Sequence, residues 1–168
     1  MRIAIRRMEL GDLPQVVAIE NRWSYLSKWG EAGYRAVVSN PRIYTCLVAE
    51  DTDTRSPSAA LAGLAVVAQL IDDCELCNLV VLPEYLSKRV GYSLLQASVE
   101  VAKYLEISRV LLEVRQSNRR AIDFYERNGF RIIGERENYY LSPRENAWVM
   151  ECAVKWHEES CQDTSARS

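Results

Sequence analysis

Leu112-Glu113-Val114-Arg115-Gln116-Ser117-Asn118-Arg119-Arg120-Ala121-Ile122-Asp123-Phe124-Tyr125-Glu126-Arg127-Asn128-Gly129-Phe130 decides how the chain is read. It closes a β-rich run over 109–114, with Val110, Leu112 and Val114 on one face and Leu111, Glu113 and Arg115 on the other. A helix over 118–128 follows, with Asn118 as N-cap and Gly129 just past its end. Strand, tight turn and helix in so few residues mark a packed α/β unit.

Upstream, Val90, Leu94, Leu95, Val99, Ala102 and Leu105 recur at helical spacing and predict a helix over 90–105. Before it, 76–82 is an apolar strand closed by Pro83, and 60–70 is a small, apolar, buried strand. The polar stretch 51–58, with Pro57, reads as an exposed loop after a strand over 43–50. A first strand spans 2–8, Asp12 is placed to N-cap a helix with Pro14 in its first turn, and a second helix covers 28–38. Downstream, 131–134 and 148–154 read as two last strands of an antiparallel pair. The order β-α-α-β-β-β-α-β-α-β-β predicts an α/β fold: a mixed, largely antiparallel central sheet flanked by helices.

The chain has 168 residues, 48% hydrophobic and 26% charged, enough apolar material for one ordinary core. No linker divides it, so 1–157 is read as one domain and 158–168 as a polar, disordered tail. Its net charge of −2 gives no reason to expect a nucleic-acid or membrane partner. Charges interrupt any apolar signal near the N-terminus, and no stretch is long enough to span a bilayer. The 5 cysteines are odd in number and irregularly spaced, so a reducing cytoplasm is the expected compartment. Monomer and homodimer stay equally open.

Three features carry candidate chemistry. The junction 79–95 runs strand, loop, helix with Gly91 near the helix start, where unpaired amides and the dipole favour an anion. A glycine that only eases the loop into the helix explains the same residues. Glu113 is a carboxylate inside an apolar strand, a candidate general base or a half-exposed partner of Arg115 or another neighbour. Tyr125 shares a helix face with Ala121, as a candidate proton donor or a core tyrosine held by one hydrogen bond. Cys74 and Cys77 form a C-x-x-C, but on one strand they point to opposite faces, and no second pair exists; no metal is expected. Arg115, Arg119, Arg120 and Arg127 read as a solvated basic surface, and His157 as an inert tail residue.

Several runs resemble the GNAT N-acetyltransferases, above all the subgroup that acetylates the N-terminal alanine of a ribosomal protein. Asn78-Leu79-Val80-Val81 with Pro83 and Tyr85 resembles N-I/L-A-V-x-P-x-Y. Leu112-Glu113-Val114-Arg115 with Ser117-Asn118 resembles L-E-V-R-x-S-N. Ala121-Ile122, Tyr125 and Gly129-Phe130 resemble A-I-x-x-Y-x-x-x-G-F, and Arg136 with Asn138-Tyr139-Tyr140 resembles R-x-N-Y-Y. The strong match covers 76–154; the N-terminal half matches loosely, through Ile19-Glu20 and Arg22.

The resemblance implies the acyl-CoA acyltransferase fold and acetyl transfer from acetyl-CoA to a primary amine, a protein or peptide N-terminus first, with a ribosomal protein as the model. It implies Glu113 as general base and Tyr125 as general acid. It implies that the backbone of Leu79, Val80 and Val81 pairs with the pantetheine arm in a splayed strand gap. Ser87, Lys88, Arg89, Val90, Gly91 and Tyr92 would cradle the pyrophosphate, Asn118 would lie beside the thioester, and Asn138, Tyr139 and Tyr140 would shape the peptide entrance. The family's loop reads Q/R-x-x-G-x-G/A, whereas here Leu86 and Arg89 replace the leading polar residue and the first glycine. If φ is positive at Arg89, that substitution costs about 1–2 kcal/mol. Either Lys88 and Arg89 supply charge to the phosphates, or the chain is a non-catalytic binding module. A small-amine acetyltransferase is the third reading.

Overall fold

In the computed structural model, which describes residues 2–24, 27–53 and 60–155, a seven-stranded sheet carries helices on both faces. Its strands are β1 (Ile3–Arg7), β2 (Tyr44–Asp51), β3 (Ala60–Gln69), β4 (Cys74–Val81), β5 (Arg109–Arg115), β6 (Arg131–Leu141) and β7 (Arg144–Ala153). The helices are α1 (Leu13–Asn21), α2 (Gly30–Val38), α3 (Val90–Tyr104) and α4 (Arg119–Arg127). Spatial order is β1-β2-β3-β4-β5-β7-β6, and every pairing is antiparallel except β4–β5. That parallel pair is joined by α3, the crossover a parallel connection requires.

β3 is apolar on both faces because both are covered. Ala62, Ala65 and Val67 pack with Leu94 and Leu95 of α3, Leu112 and Met150. Leu61, Leu64 and Val66 pack with Leu13 and Val16 of α1 and Tyr34 of α2. Gly63 is required here: a Cβ would stand 2.6 Å from the Val80 carbonyl oxygen.

Local chemistry corrects several sequence expectations. Asp12 does not cap α1. Its carboxylate takes two hydrogen bonds from the Arg6 guanidinium (2.8 and 2.9 Å) and one from the Glu9 N–H (2.8 Å). α2 starts at Gly30 rather than residue 28. The buried Glu20 carboxylate sets that start, accepting from Trp29 N–H (2.7 Å), Gly30 N–H (3.0 Å) and Tyr34 Oη–H (3.0 Å). The last hairpin is much longer than 131–134 and 148–154, because β6 is a charged edge strand with no buried face to leave an alternating pattern.

Arg115 is buried rather than part of a solvated surface. It bonds the carbonyls of Ser142 and Pro143 and Glu145, and stacks on Tyr140 with 4.0 Å to the ring centroid. Cys74 packs under α3 while Cys77 packs on the α1–α2 side. Among the described residues no helix is long and apolar enough to cross a membrane. Residues 54–58 of the expected loop, His157 and the 158–168 tail lie outside the described residues.

Candidate active site

β4 and β5 pair only at Cys74↔Val110 and Glu75↔Leu111, and then diverge. The rest of β4 therefore borders a gap. Leu82 N–H donates to the Ala62 carbonyl (2.9 Å), so by strand alternation Val80 also turns its backbone to β3. Leu79 and Val81 turn theirs to the gap, where the Trp23 indole N–H donates to the Val81 carbonyl (3.0 Å). Here the gap widens into a cleft of about 340 Å³, whose walls include Leu79, Val81, Gly91, Asn118, Phe124 and Tyr125. Trp23 also lines it, and nothing in the sequence periodicity marks that tryptophan.

At one end of the cleft lies the loop into α3. Ser87 (φ 65°) and Arg89 (φ 63°) both adopt the left-handed conformation, so Arg89 carries the strain that a glycine would avoid. Among the described residues no side chain caps α3, so its first amides are without a partner from such a cap. Lys88 lies over the Tyr85 ring (4.9 Å) and Arg89 over Tyr92 (5.1 Å), so the loop that enters α3 carries two cations. Tyr85 ties the loop to β2 through its hydroxyl, which donates to Asp51 (3.0 Å). A Cβ on Gly91 would meet Val81 and Phe124 at ordinary contact distance and its φ is not positive, so neither space nor backbone conformation demands glycine there. Positive dipole end, uncapped amides and two cations together suit a pyrophosphate.

At the other end stands α4. Asn118 caps it as expected, its side-chain oxygen accepting from Ala121 N–H (3.2 Å), and it lines the cleft. Tyr125 is buried against Phe124 and Phe130, with ring centroids 5.3 and 5.5 Å away. Burial, then the nearby Tyr140, push its phenol well above the usual tyrosine value. It therefore stays a neutral O–H donor at neutral pH.

Glu113 lies on the far bank of the gap, its carboxylate 3.0 Å from Arg136 Nε, so Arg136 rather than Arg115 is its partner. Glu75, which sequence reasoning passed over, pairs with Leu111 and so shares its sheet face with Glu113, two residues further along β5, where the strands part; the Glu113 carboxyl helps to raise that of Glu75. The signal was present in the same form as for Glu113: a carboxylate inside an apolar strand. Tyr139 and Tyr140 pack edge to face (5.0 Å) beside this acidic pair, and burial pushes Tyr140 up to about 12. Asn138 has φ 53° and donates its N–H to Asn146 (2.9 Å), in the stretch where β6–β7 pairing lapses between Arg136 and Tyr140. The strand gap thus has a cationic, amide-rich end, a buried phenol, and an acidic mouth walled by tyrosines.

The chain matches the acetyltransferase (GNAT) family over residues 9–130. A Bacillus subtilis (strain 168) relative, whose name proposes ribosomal protein bS18-alanine N-acetyltransferase activity, is 31% identical over 150 residues, covering 89% of this chain and 94% of its own. The ribosomal protein bS18-alanine N-acetyltransferase of Escherichia coli (strain K12) is 28% identical over 148 residues, covering 87% and 94%. The crystal structure of the Escherichia coli ribosomal-protein-S18-alanine N-acetyltransferase superposes with a TM-score of 0.78 at 27% identity, covering 95% of this chain and 98% of that one.

Proposed function

The chain belongs to the GNAT acetyltransferase family and is an acetyl-CoA-dependent N-acetyltransferase; from that premise we propose that its acceptor is the N-terminal α-amine of a protein, alanine first, as its relatives' names say of theirs. The observation that carries this reading is the gap itself, with a cationic amide-rich end and Tyr125 on one side and the Glu75–Glu113 pair on the other. A ribosomal acceptor makes the cytoplasm the working compartment, and we assign residues 1–157 to one transferase domain.

Bound acetyl-CoA supplies a thioester carbonyl as electrophile and a thiolate as leaving group. The backbone of Leu79 and Val81 pairs with its pantetheine arm, while Val80 holds the strand to β3. Ser87, Lys88, Arg89 and the amides of Val90, Gly91 and Tyr92 hold its pyrophosphate, the two cations offsetting the strain at Arg89. Asn118 contacts the ligand beside the thioester. Glu113 takes a proton from the acceptor ammonium so that a lone pair is free for attack. Tyr125 keeps its proton until charge builds on the sulfur and then delivers it, and the second proton, shed by the nitrogen as the amide forms, restores the phenol through solvent. Asn138, Tyr139 and Tyr140 wall the entrance used by the peptide.

The test is acetyl transfer from acetyl-CoA to a hexapeptide with the alanine-first N-terminus of ribosomal protein bS18, run beside spermidine and an aminoglycoside. Transfer to the peptide and not to the small amines is expected. Transfer to a small amine alone would overturn the protein-acceptor reading.

A further inference from the structure

Two carboxyls in contact need a shared proton or a counter-cation. Glu75 and Glu113, neighbours on one sheet face, have Arg136 as that cation. Arg136 lies 3.0 Å from Glu113, and burial together with the Glu113 carboxyl pushes Glu75 up, against the pull of Arg136. The groups facing Glu75 are Glu113 from β5, Arg136 and Tyr139 from β6, and Cys77 from its own strand. The two acids stand on inner strands of the sheet. Arg136 reaches them from the edge strand, at the point where β6–β7 pairing lapses, with its side chain 58% exposed. An acidic pair is thus covered by a cation on a largely exposed arm, which also lies over the Tyr139 ring (5.8 Å).

We propose that Glu75 and Glu113 together form the seat of the acceptor's ammonium group, with Arg136 filling that seat in the free protein and withdrawing when the amine arrives. An ammonium offers three donors, and the two carboxyls accept two of them. Replacing one cation by another keeps the charge of the site balanced, so the amine enters without leaving an acid unpaired. Tyr139 stands near the same pair, whose charges help to raise its phenol after burial. The inference rests on the primary-amine acceptor proposed above.

The experiment titrates the alanine-first bS18 hexapeptide, and its Nα-acetylated form, into protein saturated with free CoA, where no turnover occurs. The native protein is expected to prefer the free amine strongly. Equal affinity for both peptides would overturn the amine-acceptor reading and this inference with it. Glu75→Gln keeps size and hydrogen bonding. It is expected to weaken the free-amine peptide by about tenfold to a hundredfold, the loss of one charge-assisted hydrogen bond, with CoA affinity unchanged. Native preference for the free amine combined with unchanged affinity in Glu75→Gln would sink the two-carboxyl seat and leave the acceptor reading standing. Arg136→Met is expected to tighten the free-amine peptide, because the competitor is gone. Weaker binding in that variant would show that Arg136 contacts the peptide and would overturn its placeholder role. Free-amine affinity should rise with pH as Glu75 loses its proton, and Glu75→Gln should lose that rise.

Discussion

At the scale of single residues, the proposed acid and base are separable by what each touches. Tyr125 packs on Phe124 and Phe130 through its ring and lines the cleft, and the proposed chemistry needs only its hydroxyl. Tyr125→Phe should therefore fold normally, keep its affinity for acetyl-CoA, and lose about 10²–10⁴ in kcat. Glu113→Gln should lose rate on a similar scale, but its remaining activity should recover as pH rises and the amine deprotonates unaided. Steady-state kinetics from pH 6 to 10 would read both, and full activity in either variant removes that residue from the mechanism. Since the Tyr125 phenol is raised, any alkaline loss of native activity up to pH 9 comes from another group. Arg89 is a different kind of residue, one whose backbone is in conflict with its side chain. With φ at 63°, Arg89→Gly should relieve about 1–2 kcal/mol of strain, part of which is returned through the freer unfolded chain. Unfolding midpoints should hold or rise, and acetyl-CoA should bind as well or better by calorimetry. Lost binding would instead give Arg89 a direct hold on phosphate.

At the scale of elements, what the sequence revealed depended on how local the cause was. α4 was legible because its signals are its own: Asn118 caps it from inside the turn and Gly129 takes the positive φ that ends it. The β-α-α-β-β-β-α-β-α-β-β order was legible because each buried face leaves a period of two or of 3.6. α2 was misplaced at its start because its cap comes from Glu20, on the preceding helix. β6 was cut short because an exposed edge strand has no apolar face to betray it. The same rule held at the site. Glu113, Asn118 and Tyr125 sit in one continuous run, whereas Trp23 reaches Val81 from far upstream and Glu75 matters only once β5 brings Glu113 beside it. The caps supply a quantitative check. Asn118→Ala removes one capping bond and should cost about 1 kcal/mol. Glu20→Ala leaves two half-buried amides and the buried Tyr34 O–H without their acceptor, and should cost about 3 kcal/mol or more. Urea unfolding of both variants tests the order, and a Glu20→Ala loss no larger than the Asn118→Ala loss would mean water replaces Glu20 at the start of α2.

At the scale of the molecule, the sheet is two halves joined by a short seam. β1 to β4 form one antiparallel half and β5, β7 and β6 the other, with only two parallel registrations and the α3 crossover between them. The cores on the two faces stiffen the halves, but neither fills the gap beyond Glu75. A ligand in that gap stands in for the missing part of the seam, bonding β4 by its edge and resting on α3 and α4. Its binding should then register as stability of the whole fold. At a hundred times its dissociation constant acetyl-CoA would contribute about 2.7 kcal/mol, which in a chain of this size is about 5–10 °C in the unfolding midpoint. The location of that gain is the sharper test. Val80 N–H faces β3 and is already in a ladder, so its hydrogen exchange should follow only the global change. Val81 N–H faces the gap and should slow by an additional margin when acetyl-CoA is present. Equal slowing at Val80 and Val81 would mean that the ligand stabilises the fold without completing the seam.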